Sequence, residues 1–166
     1  MPTGIIYIAE YIEQSQLGVA IAESRYWWPI FEGTHLLSLS VSFGLILLTD
    51  LRLVGVFLRR VPVTVVLQQL RPYVLTGFAL TFVSGGLVFW SEAAKVVASP
   101  LWTVKCLLIA LGGLNALYFE FVIARRPEVI ENRAPLPSSV KYAGFASISI
   151  WVVVVICGRL LAYLPG

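Results

Sequence analysis

Ile30-Phe31-Glu32-Gly33-Thr34-His35-Leu36-Leu37-Ser38-Leu39-Ser40-Val41-Ser42-Phe43-Gly44-Leu45-Ile46-Leu47-Leu48-Thr49 is the stretch that decides the fold. It holds one carboxylate, one imidazole and no Lys or Arg. The hydrocarbon core of a bilayer takes about twenty apolar residues of helix, so this run reads as a transmembrane span. Three more runs share its character, over 73–97, 101–123 and 142–163. Aromatic residues mark the ends: Trp27, Trp28, Tyr73, Trp90, Trp102, Tyr118, Tyr142 and Tyr163. Such rings suit the headgroup layer.

Composition agrees. Of 166 residues, 58% are hydrophobic and 13% charged, against about 45–50% and about 25% in soluble domains. Mean hydropathy is +0.86. These values exclude a soluble enzyme, a disordered chain and a nucleic-acid reader, and the net charge of +3 reports orientation, not polyanion binding. The expected fold is all-α: an integral membrane four-helix bundle, one domain over residues 1–166.

The first 28 residues have neither the basic start nor the compact apolar stretch of a secretory signal. Ile5, Ile8, Ile12 and Leu17 alternate with Glu10, Glu13, Gln14 and Gln16. This pattern predicts an interfacial N-terminal helix broken at Gly18; the alternative is an ordered loop capping the bundle. After the first span, Pro62 and Pro72 bracket a short surface helix. Residues 125–139, with Pro127, Pro135 and Pro137, read as an extended polar connection.

Arg52, Arg59, Arg60 and Arg71 follow the first span, and Arg125, Arg126, Arg133 and Lys141 the third. The other side holds Arg25, Lys95, Lys105 and Arg159. The positive-inside rule places both loops in the cytoplasm and both termini outside.

An ionisable side chain inside a span is expensive to keep and is by default a site hypothesis. His35, Asp50, Lys105, Glu120 and Arg159 qualify. His35, Lys105 and Arg159 form an outer layer flanked by Glu32, Glu92 and Lys95. Asp50, Arg52, Glu120 and Arg125 form an inner one, expected to pair as Asp50–Arg52 and Glu120–Arg125. At 100° per residue, Glu32, His35, Ser38, Ser42 and Thr49 share one side of the first helix, opposite Gly33, Ser40 and Gly44. On the second span Gly77, Thr81, Ser84 and Gly85 share a face.

His35 has two readings: an axial ligand to the iron of a haem-b-type tetrapyrrole, or a structural histidine bonded to Glu32 or Ser38. Lys105 is either a partner for a propionate or substrate carboxylate, or a lysine snorkelling to the interface. Arg159 faces either Glu92 or an anionic ligand group. Copper and zinc are poorly served by one histidine and two cysteines, Cys106 and Cys157, set in apolar runs.

The residues around Trp28-Pro29-Ile30-Phe31-Glu32-Gly33-Thr34-His35-Leu36-Leu37, Thr49-Asp50-Leu51-Arg52-Leu53-Val54-Gly55, Pro100-Leu101-Trp102-Thr103-Val104-Lys105 and Gly158-Arg159-Leu160-Leu161-Ala162-Tyr163 resemble a family of small bacterial four-span membrane proteins of uncharacterised function. The plan is distantly similar to the membrane protoporphyrinogen oxidase family and to copper-resistance-D-like membrane proteins. In that resemblance His35 matches the histidine associated with haem b, and Lys105 the lysine of the third span. The oxidase family's later histidine is absent, with Asn115 and Ala116 in its region. Its C-terminal Asn-Glu-Pro is absent too, and Gly158-Arg159 stands near the end.

The resulting expectation is a protein of the bacterial inner membrane that binds haem b and has a redox or electron-transfer role. His35 ligates iron, Lys105 and Arg159 neutralise propionates, and Ser38 and Ser42 line the pocket. The alternative is an accessory or assembly subunit of a larger membrane complex, binding pigment or lipid. A homo-oligomer or a complex in membrane lipid is expected, with no nucleic acid. A transporter has less support, since no repeat or broken helix pair is visible.

Overall fold

A computed structural model describes residues 3–132 and 135–163; Arg133, counted above among the basic loop residues, lies outside them. Of the described residues 85% are helical, and none of them is in a strand. Four helices are long and apolar enough to cross a membrane: Trp27–Val54, Val63–Ser91, Pro100–Ile123 and Ser138–Tyr163. Their 24 to 29 residues rise about 36–44 Å at 1.5 Å each, beyond the roughly 30 Å of hydrocarbon. The chain is thus built as a multi-pass membrane protein.

In chain order the elements are α1 (Thr3–Glu13), α2 (Gln16–Ala22), α3 (Trp27–Val54), α4 (Val63–Ser91), α5 (Ala93–Ala98), α6 (Pro100–Tyr118), a π-helical turn (Phe119–Ile123), α7 (Pro127–Ile130) and α8 (Ser138–Tyr163). The spans alternate in direction. One end of the bundle carries the start of α3 and the end of α8 (the terminal end), and the other carries the arginine-rich connections (the basic end). Backbones pack closely in the pairs α3/α4, α6/α8 and α3/α8. Side chains join α4 to its other neighbours: Phe89 stacks on Trp102 of α6 at 5.0 Å, and Phe78 meets Trp151 of α8 at 4.9 Å.

Large apolar side chains face outward, as lipid requires: Leu37 is 71% exposed and Leu107 66%. The interior is lined by small and hydroxylated residues, including Ser38, Ser42, Thr81, Ser84 and Ser147. Hydroxyls inside a span can bond to their own helix, as Ser42 does to the Ser38 carbonyl at 2.6 Å, so little polarity is left unmatched. An apolar cluster closes the basic end, with Leu53, Val63, Phe119, Ile123, Val129, Val140 and Ala143 all buried.

Helix ends depart from the sequence expectations for physical reasons. α3 stops at Gly55, whose φ of 85° is left-handed, a geometry that glycine adopts without strain. Residues 63–70 are no separate surface helix. α4 runs through Pro72, because Val63 and Val66 are buried at the basic end in line with the span. Breaking the helix at membrane depth would also leave backbone groups unsatisfied. At the other end the span stops at Ser91, not at Val97: Glu92 turns the chain, and α5 is a separate short helix. The connection after α6 holds one helical turn, α7, tied down by fully buried Val129.

The N-terminal segment is two helices. The break lies at Gln14-Ser15, where Ser15 caps α2 through the Gly18 amide at 3.2 Å. Gly18 itself is inside α2, so close to α1 that a Cβ would stand 2.3 Å from the Glu13 carbonyl oxygen. Two bonds fasten this segment over the terminal end. Trp90 Nε1 donates to Ser15 Oγ at 2.9 Å, and the Ala94 amide donates to Glu13 Oε2 at 2.8 Å. Ile5, Ile8 and Tyr11 project outward from α1.

Candidate functional site

His35 is the ninth residue of α3, about 12 Å along the helix. Its Nδ1–H donates to the Thr81 carbonyl of α4 at 2.9 Å. A carbonyl only accepts, so in the neutral ring the proton sits on Nδ1 and the lone pair on Nε2. Among the described residues Nε2 has no hydrogen-bonding partner, and it is not sealed from the surface. An Nδ1–H bonded to a backbone carbonyl is the support that metal-ligating histidines commonly have.

The imidazole lies on the backbone of Gly85, where a Cβ would stand 2.7 Å from Cε1 and 2.9 Å from Nδ1. Below it, Thr81 Oγ1 donates to Ser38 Oγ at 3.1 Å. One turn further, Ser42 fits against Gly77, where a Cβ would lie 2.3 Å from Ser42 Oγ. The antiparallel register therefore pairs 35 with 85, 38 with 81 and 42 with 77. Ser84 Oγ lies 3.5 Å from Nδ1 and bonds chiefly to the Leu80 carbonyl at 2.6 Å.

Lys105 reaches the same level from α6. It lies within electrostatic reach of His35. Its Nζ is 5.8 Å from the Trp102 ring centroid and 3.4 Å from where a Cβ on Gly158 would be. Small residues on α4 and α8 thus make room for the two ionisable groups of the terminal half. Arg159 does not join them: it is exposed, donates to the Tyr163 hydroxyl at 2.6 Å and lies over that ring at 5.0 Å. Ser38 and Ser42 are buried in the α3/α4 seam, and their hydroxyls donate to the carbonyls of His35 and Ser38.

The expected ion pairs rearrange. Arg52 donates from Nε to the Val61 carbonyl at 2.6 Å and from a terminal nitrogen to Asn132 Oδ1 at 3.4 Å, not to Asp50. Both acceptors belong to the connections, so Arg52 fastens loops to α3. Glu120 pairs with Arg71 across the gap between the π-helical turn and α4, and Arg125 rests over the Phe121 ring at 5.2 Å. The π-helical turn shifts the phase of the third span, and Glu120 lies within it. Glu92 pairs with Lys95 at 3.7 Å. Among the described residues the His35 ring bonds to neither Glu32 nor Ser38; its partners are on α4.

Among the described residues no group of three His, Cys, Asp or Glu side chains could hold a metal ion. Cys106 and Cys157 are free, the first exposed and the second buried. A cavity of about 270 Å³ lies at the basic end, lined by Asn115, Tyr118, Ile123, Ser139, Tyr142 and Ala143. It contains none of the expected site residues. Sequence reasoning put Thr81, Ser84 and Gly85 on one face but did not identify them as the surroundings of His35. Their shared face on the second span was the signal.

A family model described as a family of unknown function (DUF6644) matches residues 8–164. No curated protein and no solved structure matches the chain.

Proposed function

The chain belongs to this family of unknown function, and from that premise we propose that it is a membrane haem-b-type protein with a redox or electron-transfer role. One observation carries the reading: His35 is held by Nδ1 to the Thr81 carbonyl at 2.9 Å, which leaves Nε2 free to ligate. His35 would hold the iron through Nε2, alone or together with His35 of a second copy. Lys105, within electrostatic reach of His35, would neutralise a propionate. Arg159 would do so only by leaving Tyr163. Bound haem would supply one-electron exchange. The resemblance read from the sequence at His35 and Lys105, to the membrane protoporphyrinogen oxidase family, is in line with this proposal.

Basic residues concentrated after α3 and α6 favour both termini outside a bacterial inner membrane. A second reading, an accessory or assembly subunit, is favoured by Gly33 and Gly44. A Cβ at either would meet nothing within 4 Å, and exposed Ser40 lies between them. Unlike Gly77 and Gly85, these small residues answer no contact inside the chain, and they suit helix docking.

The test is an absorption spectrum of the purified protein in mild detergent, oxidised and then dithionite-reduced. A Soret band with sharp reduced α and β bands, at one haem per chain or per two chains, is the expected result. A colourless, folded protein overturns the haem reading and leaves the subunit reading.

A further inference from the structure

Asp50 stands on α3 five residues before Gly55, about 7–8 Å from the basic end of the helix. It is 5% exposed. Ser147 of α8 lies beside its carboxyl, and among the described residues Oδ2 is buried with no partner. Among the described residues the cations of the basic end are directed elsewhere. Arg52 holds Val61 and Asn132. Arg71 of α4 pairs with Glu120 of the π-helical turn. Arg126 donates to Ser139 at 3.1 Å, and Lys141 of α8 is exposed.

The seam leaves little space for a hydration shell. A Cβ at Gly144 would stand 3.1 Å from the Asp50 carbonyl oxygen and 3.1 Å from Leu53 Cβ. An ionised carboxylate is acceptor-only and has about four lone-pair sites to satisfy. Here Ser147 offers one hydroxyl and, among the described residues, no cation supplies charge. An unpaired charge taken out of water is among the most expensive burials. The neutral acid fits instead. It carries no charge, Ser147 lies beside it, and for an uncharged Oδ2 a missing partner matters far less.

We propose that Asp50 is a proton-binding site, carried as the neutral acid in the seam between α3 and α8 and loaded from the basic end of the bundle. The step is a simple transfer: the carboxylate oxygen takes a proton from an acid of the aqueous phase, which is left as its conjugate base. Releasing the proton requires the seam to admit water, so proton occupancy is coupled to the packing of α8 on α3. The site is independent of any cofactor at His35.

Infrared spectroscopy of the full chain in lipid tests this. The wild type should show the carbonyl stretch of a protonated carboxyl at neutral pH, shifted on deuterium exchange and fading as the pH is raised. Asp50→Asn should abolish that band, and Ser147→Ala should shift its frequency by removing the hydrogen bond. The Ser147→Ala shift and the wild-type titration decide the matter if Asp50→Asn does not fold. A wild type showing only carboxylate bands at neutral pH overturns the proposal, because a water would then be satisfying Oδ2 of an ionised group. A band that neither substitution moves belongs to another acid and overturns it equally.

Discussion

The ring of His35 rests directly on the backbone of Gly85, leaving no room for a methyl group: a Cβ there would stand 2.7 Å from Cε1. At its neighbour Gly86 a Cβ would have nothing within 4 Å. Gly85→Ala must therefore push the imidazole or separate α3 from α4, whereas Gly86→Ala meets no neighbour. Overpacking of this kind costs about 1–3 kcal/mol. Thermal unfolding in detergent should show a lowered midpoint for Gly85→Ala and little change for Gly86→Ala. Equal midpoints would mean that the ring does not lie where this contact places it.

His35 is the only histidine in the chain, so histidine-selective 15N labelling reports it alone. With the Thr81 carbonyl as acceptor, Nδ1 should be protonated and Nε2 unprotonated in the cofactor-free protein at neutral pH. The opposite tautomer would remove the argument for Nε2 as the ligating atom.

The N-terminal cap depends on a close backbone approach. At Gly18 a Cβ would lie 2.3 Å from a carbonyl oxygen of α1, and a backbone atom does not rotate away. Gly18→Ala should loosen α1 from the bundle and increase proteolysis near Gln14-Ser15 several-fold. Gly4→Ala, in open space, should not. Resistance to protease in both variants would contradict the cap as described.

Arg71 and Glu120 form an ion pair between α4 and the π-helical turn, with side chains 47% and 35% exposed. Exposed pairs couple weakly, by about 0.2–1 kcal/mol. A double-mutant cycle on Arg71 and Glu120 should give a coupling in that range, and a cycle on Glu120 and Arg125 should give none. Coupling to Arg125 instead of Arg71 would restore the pairing that sequence proximity suggests.

The four spans were legible because membrane helices announce themselves by length and apolarity, which residues 30–49 carry without help from neighbours. Helix ends were less legible. Pro72 reads as a stop in water, but Val63 and Val66 anchor the preceding turns to the buried cluster at the basic end, and the helix continues. The shared faces of His35, Ser38 and Ser42 and of Gly77, Thr81 and Gly85 were both visible at 100° per residue. Their pairing was not, because it depends on the register between two helices. The same holds for charges: Asp50 and Arg52 are close in sequence, yet Arg52 turns to the connections and Asp50 to Ser147.

His35 is the proposed protein ligand of a tetrapyrrole. Haem content per chain, measured side by side on wild type and His35→Ala purified from the same membranes, tests this most directly. The prediction is haem in the wild type and nearly complete loss in the variant, with both proteins folded. Equal haem content in the two, or none in a folded wild type, would contradict it.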